Sequence, residues 1–198
     1  MTWQYKTPGI PDELFERLPG IPLTKKEVRL LILSALRLKE DSVIWDIGAG
    51  TGTISIEMAL LCPQTQIIAI ERDPDVIELI RRNCDRFGVE NIQVLEGKAP
   101  ECFADLPTKP DRIHIGGGKS ITNILLEGWK HLSIDGRIVA IADSLENLYH
   151  ISETLAQIRA CNIEVVQSSL NRLEKRGISQ VFAAIAPVFI LSGEKIST

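Results

Sequence analysis

The tightest constraint on how this chain folds is the run Val43-Ile44-Trp45-Asp46-Ile47-Gly48-Ala49-Gly50-Thr51-Gly52-Thr53. An apolar stretch feeds a turn with glycine at alternate positions, a helical pattern follows, and a second apolar stretch, Ile67-Ile68-Ala69-Ile70, ends on Glu71. The order reads as strand, turn, helix, strand, with a carboxylate at the carboxyl end of the second strand, where open α/β sheets bind ligands. Glycines at 48, 50 and 52 let the backbone turn sharply and come close to a bound molecule. Glu71 is able to accept hydrogen bonds from both hydroxyls of a ribose. The competing readings are a tight turn with no ligand for the glycines and a solvated strand-end charge for Glu71.

Spacing narrows the nucleoside. A dinucleotide fingerprint is G-x-G-x-x-G with its pyrophosphate at a helix N-terminus; here the third glycine falls one residue early, at Gly52, and Thr53 holds the dinucleotide position. Asp46-Ile47-Gly48-Ala49-Gly50-Thr51-Gly52 instead resembles motif I of class I S-adenosylmethionine-dependent methyltransferases. Those enzymes hold an amino acid joined to a nucleoside, with no phosphate to cradle.

With 198 residues, of which 44% are hydrophobic, the chain is large enough to bury one full α/β core. A net charge of -4 argues against broad phosphate neutralisation and so against a nucleic-acid binder of that kind. No apolar run is long enough to span a bilayer, and the first residues lack a signal-peptide pattern, so no membrane partner and a cytoplasmic location are expected. Cys62, Cys84, Cys102 and Cys161 form no C-x-x-C pair and have no histidine at ligand spacing, so neither a metal site nor a disulfide framework is expected. They read as reduced thiols packed as small hydrophobes.

Residues 1–22, rich in proline and glycine, read as an extension wrapping a single domain that covers 23–198. Thr24-Lys25-Lys26-Glu27 has the form of a capping box and predicts a helix over 24–37. Strands are expected at 43–47, 66–71, 92–96, 112–115 and 137–142. Helices are expected at 53–61, from the Asp73-Pro74 cap to Gly88, at 119–132 and at 144–160. Two β-rich stretches, 163–171 and 179–191, are expected to pair as a hairpin. The fold class is therefore α/β: a Rossmann-like, mostly parallel twisted sheet flanked by helices, with an antiparallel β-hairpin at the C-terminal edge.

Further segments narrow the class I methyltransferases to one family. Gly9-Ile10-Pro11-Asp12-Glu13-Leu14-Phe15, Leu23-Thr24-Lys25-Lys26-Glu27-Val28-Arg29, motif I, Gly97-Lys98-Ala99-Pro100, Ile115-Gly116-Gly117-Gly118, and Asn171-Arg172-Leu173 through Ala186-Pro187-Val188 occur in one order. Together they resemble the stand-alone decarboxylating precorrin methyltransferases of cobalamin biosynthesis, over nearly the whole chain. The resemblance implies methylation of C15 of precorrin-6B or its cobalt form, loss of carbon dioxide from the ring C acetate, and a homo-oligomer, a tetramer. It implies cofactor contacts at Thr24, Gly48, Ala49, Gly50, Thr51, Gly52, Glu71 and Ala99, with S-adenosyl-L-methionine as cofactor. Thr24 is either a helix cap alone or a cap that also faces the methionine end of the cofactor. Ala99 presents a backbone N–H to the adenine, while Lys98 stands where the family usually has an aspartate.

Methyl transfer from a sulfonium is an in-line displacement, so alignment supplies much of the catalysis. No catalytic side chain is identified. The protein must offer a wide slot, cationic anchors for a tetrapyrrole's carboxylates, and exclusion of water. Gly116, Gly117 and Gly118 leave room for a flat macrocycle, or else form a flexible turn before a helix. Candidate anchors are Lys25, Lys26, Arg29, Lys119, Arg172, Lys175 and Arg176, any one of which alone reads as a solvated charge. His114, inside an apolar strand, reads as a satisfied core residue. The rival functions are a methyltransferase of another acceptor, such as tRNA or protein, and a non-catalytic nucleoside-binding subunit.

Overall fold

The computed structural model describes residues 3–197. The strands are β1 (Val43–Ile47), β2 (Gln66–Glu71), β3 (Ile92–Glu96), β4 (Arg112–Ile115), β5 (Gly136–Ala142), β6 (Cys161–Gln167), β7 (Leu170–Arg176), β8 (Ser179–Ile185) and β9 (Phe189–Lys195). Seven of them make one sheet in the order β3-β2-β1-β4-β5-β9-β6. The first five pair in parallel, and β9 runs antiparallel to both β5 and β6. Alternation along β1 sends Trp45 and Ile47 to one face and Ile44 and Asp46 to the other.

Each face is sealed by helices whose apolar stripes match it. Trp45, Ile47, Ile68, Ile70, Ile113 and Ile115 pack with residues of α4 (Ile121–His131) and α5 (Leu145–Gln157). On the opposite face Ile44, Ile67 and Val139 meet α1 (Lys26–Leu36) and α2 (Thr53–Leu61). Helix α3 (Pro74–Phe87) begins as its sequence predicts: Asp73 accepts from the Asp75 N–H, Pro74 follows it, and Gly88 ends the helix at φ 67°. Residues 8–23 form a strap. Ile10, Phe15 and Leu23 are buried with Ile56 of α2 and with Ile80, Cys84 and Phe87 of α3.

Two expectations are corrected. The capping box at Thr24 does not form: α1 starts at Lys26, with Lys25 at the N-cap and no side-chain cap there. The Lys26 N–H donates instead to Asp12 Oδ1 at 2.9 Å, so the strap caps the helix from a distance in sequence. The expected antiparallel hairpin is present, but the two C-terminal β stretches divide into four strands. Strands β6 and β9 join the sheet, while β7 and β8 form a separate two-stranded hairpin. The breaks fall where the pairing changes: Ser168 and Val188 bond each other at the crossing point, and Pro187, which has no N–H to donate, follows the end of β8. Only Cys84 among the cysteines is buried, and burial pushes its thiol up to about 11; the other three are half-buried. No helix among the described residues is long and apolar enough to cross a membrane.

Candidate functional site

The glycine turn follows β1 and crosses the end of β2. Gly48, Gly50 and Gly52 all have positive φ (69°, 55° and 78°), a backbone shape that side chains with a Cβ rarely take. The turn is pinned by Gly48 and Ala49 N–H groups, both donating to the Ile70 carbonyl at 3.0 and 3.2 Å. The Glu71 carboxylate receives only backbone N–H groups: Gly50 on Oε2, and Arg72 and Asp73 on Oε1. Glu71 is half-buried and no cation lies against it among the described residues, so its outward lone pairs face the strand ends. Ala99, half-buried, follows β3 on the same edge of the sheet.

The strap supplies a wall. Thr51 Oγ1 donates to the Pro22 carbonyl at 3.0 Å and Asn83 Nδ2 to the Thr51 carbonyl at 3.1 Å, which ties the glycine turn to residues 22–24 and to α3. Thr24 is held through its own carbonyl, which accepts from Arg29 Nη1. Arg29 is therefore corrected as a substrate anchor. It is 0% exposed, with Nε on Glu57 at 2.7 Å, Nη1 on Asp12 at 2.7 Å and Nη2 on the Ile10 carbonyl. Glu57 in turn takes the Gly9 and Ile10 N–H groups. A buried charge persists only with such partners.

Arg172 of β7 is not a free cation either. It bonds Asp12 Oδ2 at 2.8 Å and both oxygens of Glu27, joining the hairpin to the strap and to α1. Burial alone would push the Asp12 carboxyl up, but the hydrogen bonds from Arg29 and Arg172 outweigh it and hold it below the usual carboxylate range. The Arg172 hydrogen bond does the same for Glu27. Lys25 and Lys26 are half-exposed, and Lys119, Lys175 and Arg176 are exposed, so these remain the cations open to an acidic ligand.

Beyond β4 the chain runs through Gly116, Gly117 and Gly118. A side chain at Gly117 would meet nothing within 4 Å, so open space lies beside this residue; one at Gly118 would lie 2.5 Å from Ile124 Cδ1, so the room expected beside all three glycines is corrected to Gly117 alone. One at Gly116 would lie 2.9 Å from the Gly48 carbonyl oxygen and 3.3 Å from His114 Cε1, which brings the two glycine turns against each other. Below them, Asp46 of β1 stands in register with His114 of β4. His114 Nδ1 is 2.7 Å from Asp46 Oδ1, and Ser55 Oγ of α2 donates to the other oxygen. The sequence reading of His114 as satisfied is thus corrected: it is buried, but Nε2 has no hydrogen-bond partner among the described residues. Sequence reasoning missed Ser55, Glu57 and the function of Asp12. The available signal for the first two was a polar and a charged residue inside a short helix that is otherwise apolar on every side.

The described residues fit a nucleoside-linked amino acid: a carboxylate at the β2 end, a turn with three glycines beside it, and open space next to Gly117. Residues 15–195 match the family described as precorrin methyltransferase domain. A cobalt-precorrin-6B C(15)-methyltransferase (decarboxylating) of Salmonella typhimurium is 40% identical, over 93% of this chain and 95% of that one. A probable enzyme of the same description from Saccharolobus solfataricus is 39% identical, over 98% of this chain and 100% of the other. The crystal structure of precorrin-6y C5,15-methyltransferase from Geobacter metallireducens superposes with a TM-score of 0.90 at 36% identity, covering 98% of this chain and 100% of that one.

Proposed function

The chain belongs to the precorrin methyltransferase family, and from that membership we propose that it transfers a methyl group from S-adenosyl-L-methionine to C15 of precorrin-6B or its cobalt form, with decarboxylation of the ring C acetate, in cobalamin biosynthesis. The observation that carries this reading is the Glu71 carboxylate, free of any cationic partner among the described residues, beside a turn of three positive-φ glycines. Glu71 accepts the ribose hydroxyls, the Gly48–Gly52 turn lets the donor lie close to the backbone, Ala99 offers its N–H to the adenine, and the Thr24 segment closes the methionine end. Lys98 is exposed and pairs with Glu101 at 2.6 Å, so it contributes no acceptor toward the adenine amino group.

The bound donor supplies an electrophilic methyl group on a sulfonium. The chain's own residues orient and exclude. The open space beside Gly117 admits a flat macrocycle, and the exposed Lys119, two residues further on, and the half-exposed Lys25 carry the sign its carboxylates need. Arg172 acts one step back, fixing the hairpin against α1. The acceptor's conjugated ring takes up the electrons left by the departing carboxylate, so no covalent nucleophile is called for. The chain's net charge of -4 weighs against an acceptor such as tRNA that is held by broad phosphate neutralisation.

The family resemblance also implies a homo-oligomer, a tetramer. Its support here is an apolar surface at the C-terminal end of the fold: Val165 and Val166 on the edge strand β6, with Leu173, Ile178 and Phe182 on the hairpin, are all more than 40% exposed. Edge strands left bare in this way pair with another chain, and we assign that place to a second copy of this one. The deciding experiment is incubation of the purified protein with methyl-labelled donor and a precorrin-6B preparation, followed by mass analysis. Gain of one methyl and loss of carbon dioxide is the expected result; label passing to tRNA or protein and none to the macrocycle overturns it.

A further inference from the structure

The hairpin of β7 and β8 has two unlike faces. Its register sets Arg172 opposite Ala183 on one face and Leu173 opposite Phe182 on the other. Arg172, Val181, Ala183 and Ile185 are half-buried, whereas Leu173 is 56% and Phe182 75% exposed. No third strand pairs with these two, and a two-stranded ribbon is marginal in water by itself. The hairpin's position therefore depends on what holds each face.

On the inner face Arg172 starts a series of bonds that ends at the first glycine turn. Its Nη1 donates to Asp12 Oδ2 at 2.8 Å, Nε to Glu27 Oε1 at 2.9 Å and Nη2 to Glu27 Oε2. The second oxygen of Asp12 accepts from the Lys26 N–H at 2.9 Å and from Arg29 Nη1 at 2.7 Å. Arg29 Nη1 also reaches the Thr24 carbonyl at 2.6 Å. Two residues upstream, the Pro22 carbonyl accepts from Thr51 Oγ1 of the glycine turn. The segment from Pro22 to Glu27, assigned above to the methionine end of the donor, is thus fastened to the glycine turn at one end and to the hairpin at the other. The outer face carries the bare pair Leu173 and Phe182, and the hairpin follows directly in the chain from β6, where Val165 and Val166 are also exposed. That is the surface assigned above to a second copy.

We propose that Arg172 is a positioning residue that couples assembly to donor binding. A second copy seated on Leu173 and Phe182 fixes the hairpin, the fixed hairpin holds Asp12 and Glu27 through Arg172, and the assembled protein binds the donor more tightly than the lone chain. The proposal rests on the donor and assembly readings above. Linkage makes the effect reciprocal, so the donor in turn promotes assembly. A guanidinium suits this role because its fork of donors grips carboxylates on two different elements at once.

Calorimetry with S-adenosylhomocysteine, run beside sedimentation velocity, tests the coupling. Phe182→Glu is expected to sediment as a smaller species and to bind the ligand about 5- to 50-fold more weakly than the wild type, within the usual range for coupled sites. Arg172→Gln is expected to lose a similar factor and Arg172→Lys to recover part of it. Phe182→Glu combined with Arg172→Gln should lose no more than either change alone, because both break one link. In the wild type, saturating ligand should lower the concentration at which the assembly comes apart. Should the Arg172 variants fail to fold, Phe182→Glu and this ligand-dependent dissociation decide without them. A smaller Phe182→Glu species with wild-type affinity, losses that multiply in the double variant, or dissociation indifferent to ligand overturns the coupling while leaving the donor reading in place. An unaltered sedimentation coefficient for Phe182→Glu overturns the assembly surface and the coupling with it. Failure of the wild type to bind S-adenosylhomocysteine overturns the donor reading itself.

Discussion

At the scale of single residues, the site depends on what one position holds and what another leaves out. Glu71 holds the Gly50, Arg72 and Asp73 N–H groups and offers its remaining lone pairs to a ligand. Glu71→Ala is expected to weaken S-adenosylmethionine binding about ten- to hundred-fold, for loss of charge-assisted hydrogen bonds worth about 1.5–3 kcal/mol. An unchanged dissociation constant by calorimetry would remove the ribose assignment. Gly117 leaves out a side chain where nothing lies within 4 Å. Gly117→Leu should therefore abolish methyl transfer while changing donor affinity little, measured as turnover against calorimetric binding; surviving turnover would show that the macrocycle enters elsewhere. Arg29 shows how sequence misleads at this scale. A basic residue on a helix near a predicted acidic ligand looks like an anchor, yet four polar partners, Ile10, Asp12, Thr24 and Glu57, hold it in the interior.

At the scale of elements, strands β1 to β4 were legible to the residue. The buried strands β1 and β2 read as nearly continuous apolar runs, and the two glycine turns sit at the carboxyl ends of β1 and β4. The α3 boundaries were equally plain, because Asp73, Pro74 and Gly88 act on their own neighbours. What stayed hidden was non-local. The α1 start is set by Asp12, fourteen positions upstream of Lys26, and the C-terminal strands by a crossing point that links Ser168 to Val188. No window of local sequence contains either pair. The same strap contact yields a prediction: Arg29→Met leaves the Asp12 and Glu57 carboxylates buried without their common counterion, at a cost of about 3–5 kcal/mol. Urea denaturation should register that loss, and a shift below about 1 kcal/mol would mean that the strap is held by its apolar contacts alone.

At the scale of the whole molecule, the sheet ends on the exposed strand β6. The side chains of β6 are exposed along nearly all of its length, and the hairpin adds Phe182 at 75% exposure. Phe182→Glu is expected to reduce the assembly to a smaller species in sedimentation velocity without lowering the melting cooperativity of each subunit; an unaltered sedimentation coefficient would move the interface elsewhere. The placing of β9 between β5 and β6 has a further consequence. The strand that completes the sheet is synthesised after the one it must separate from its neighbour, so β6 waits, unpaired, for the following stretch of chain to leave the ribosome. Pairing of β6 is thus the last step of sheet closure that synthesis makes possible, and a substitution that weakens β9 would leave β6 without any strand neighbour.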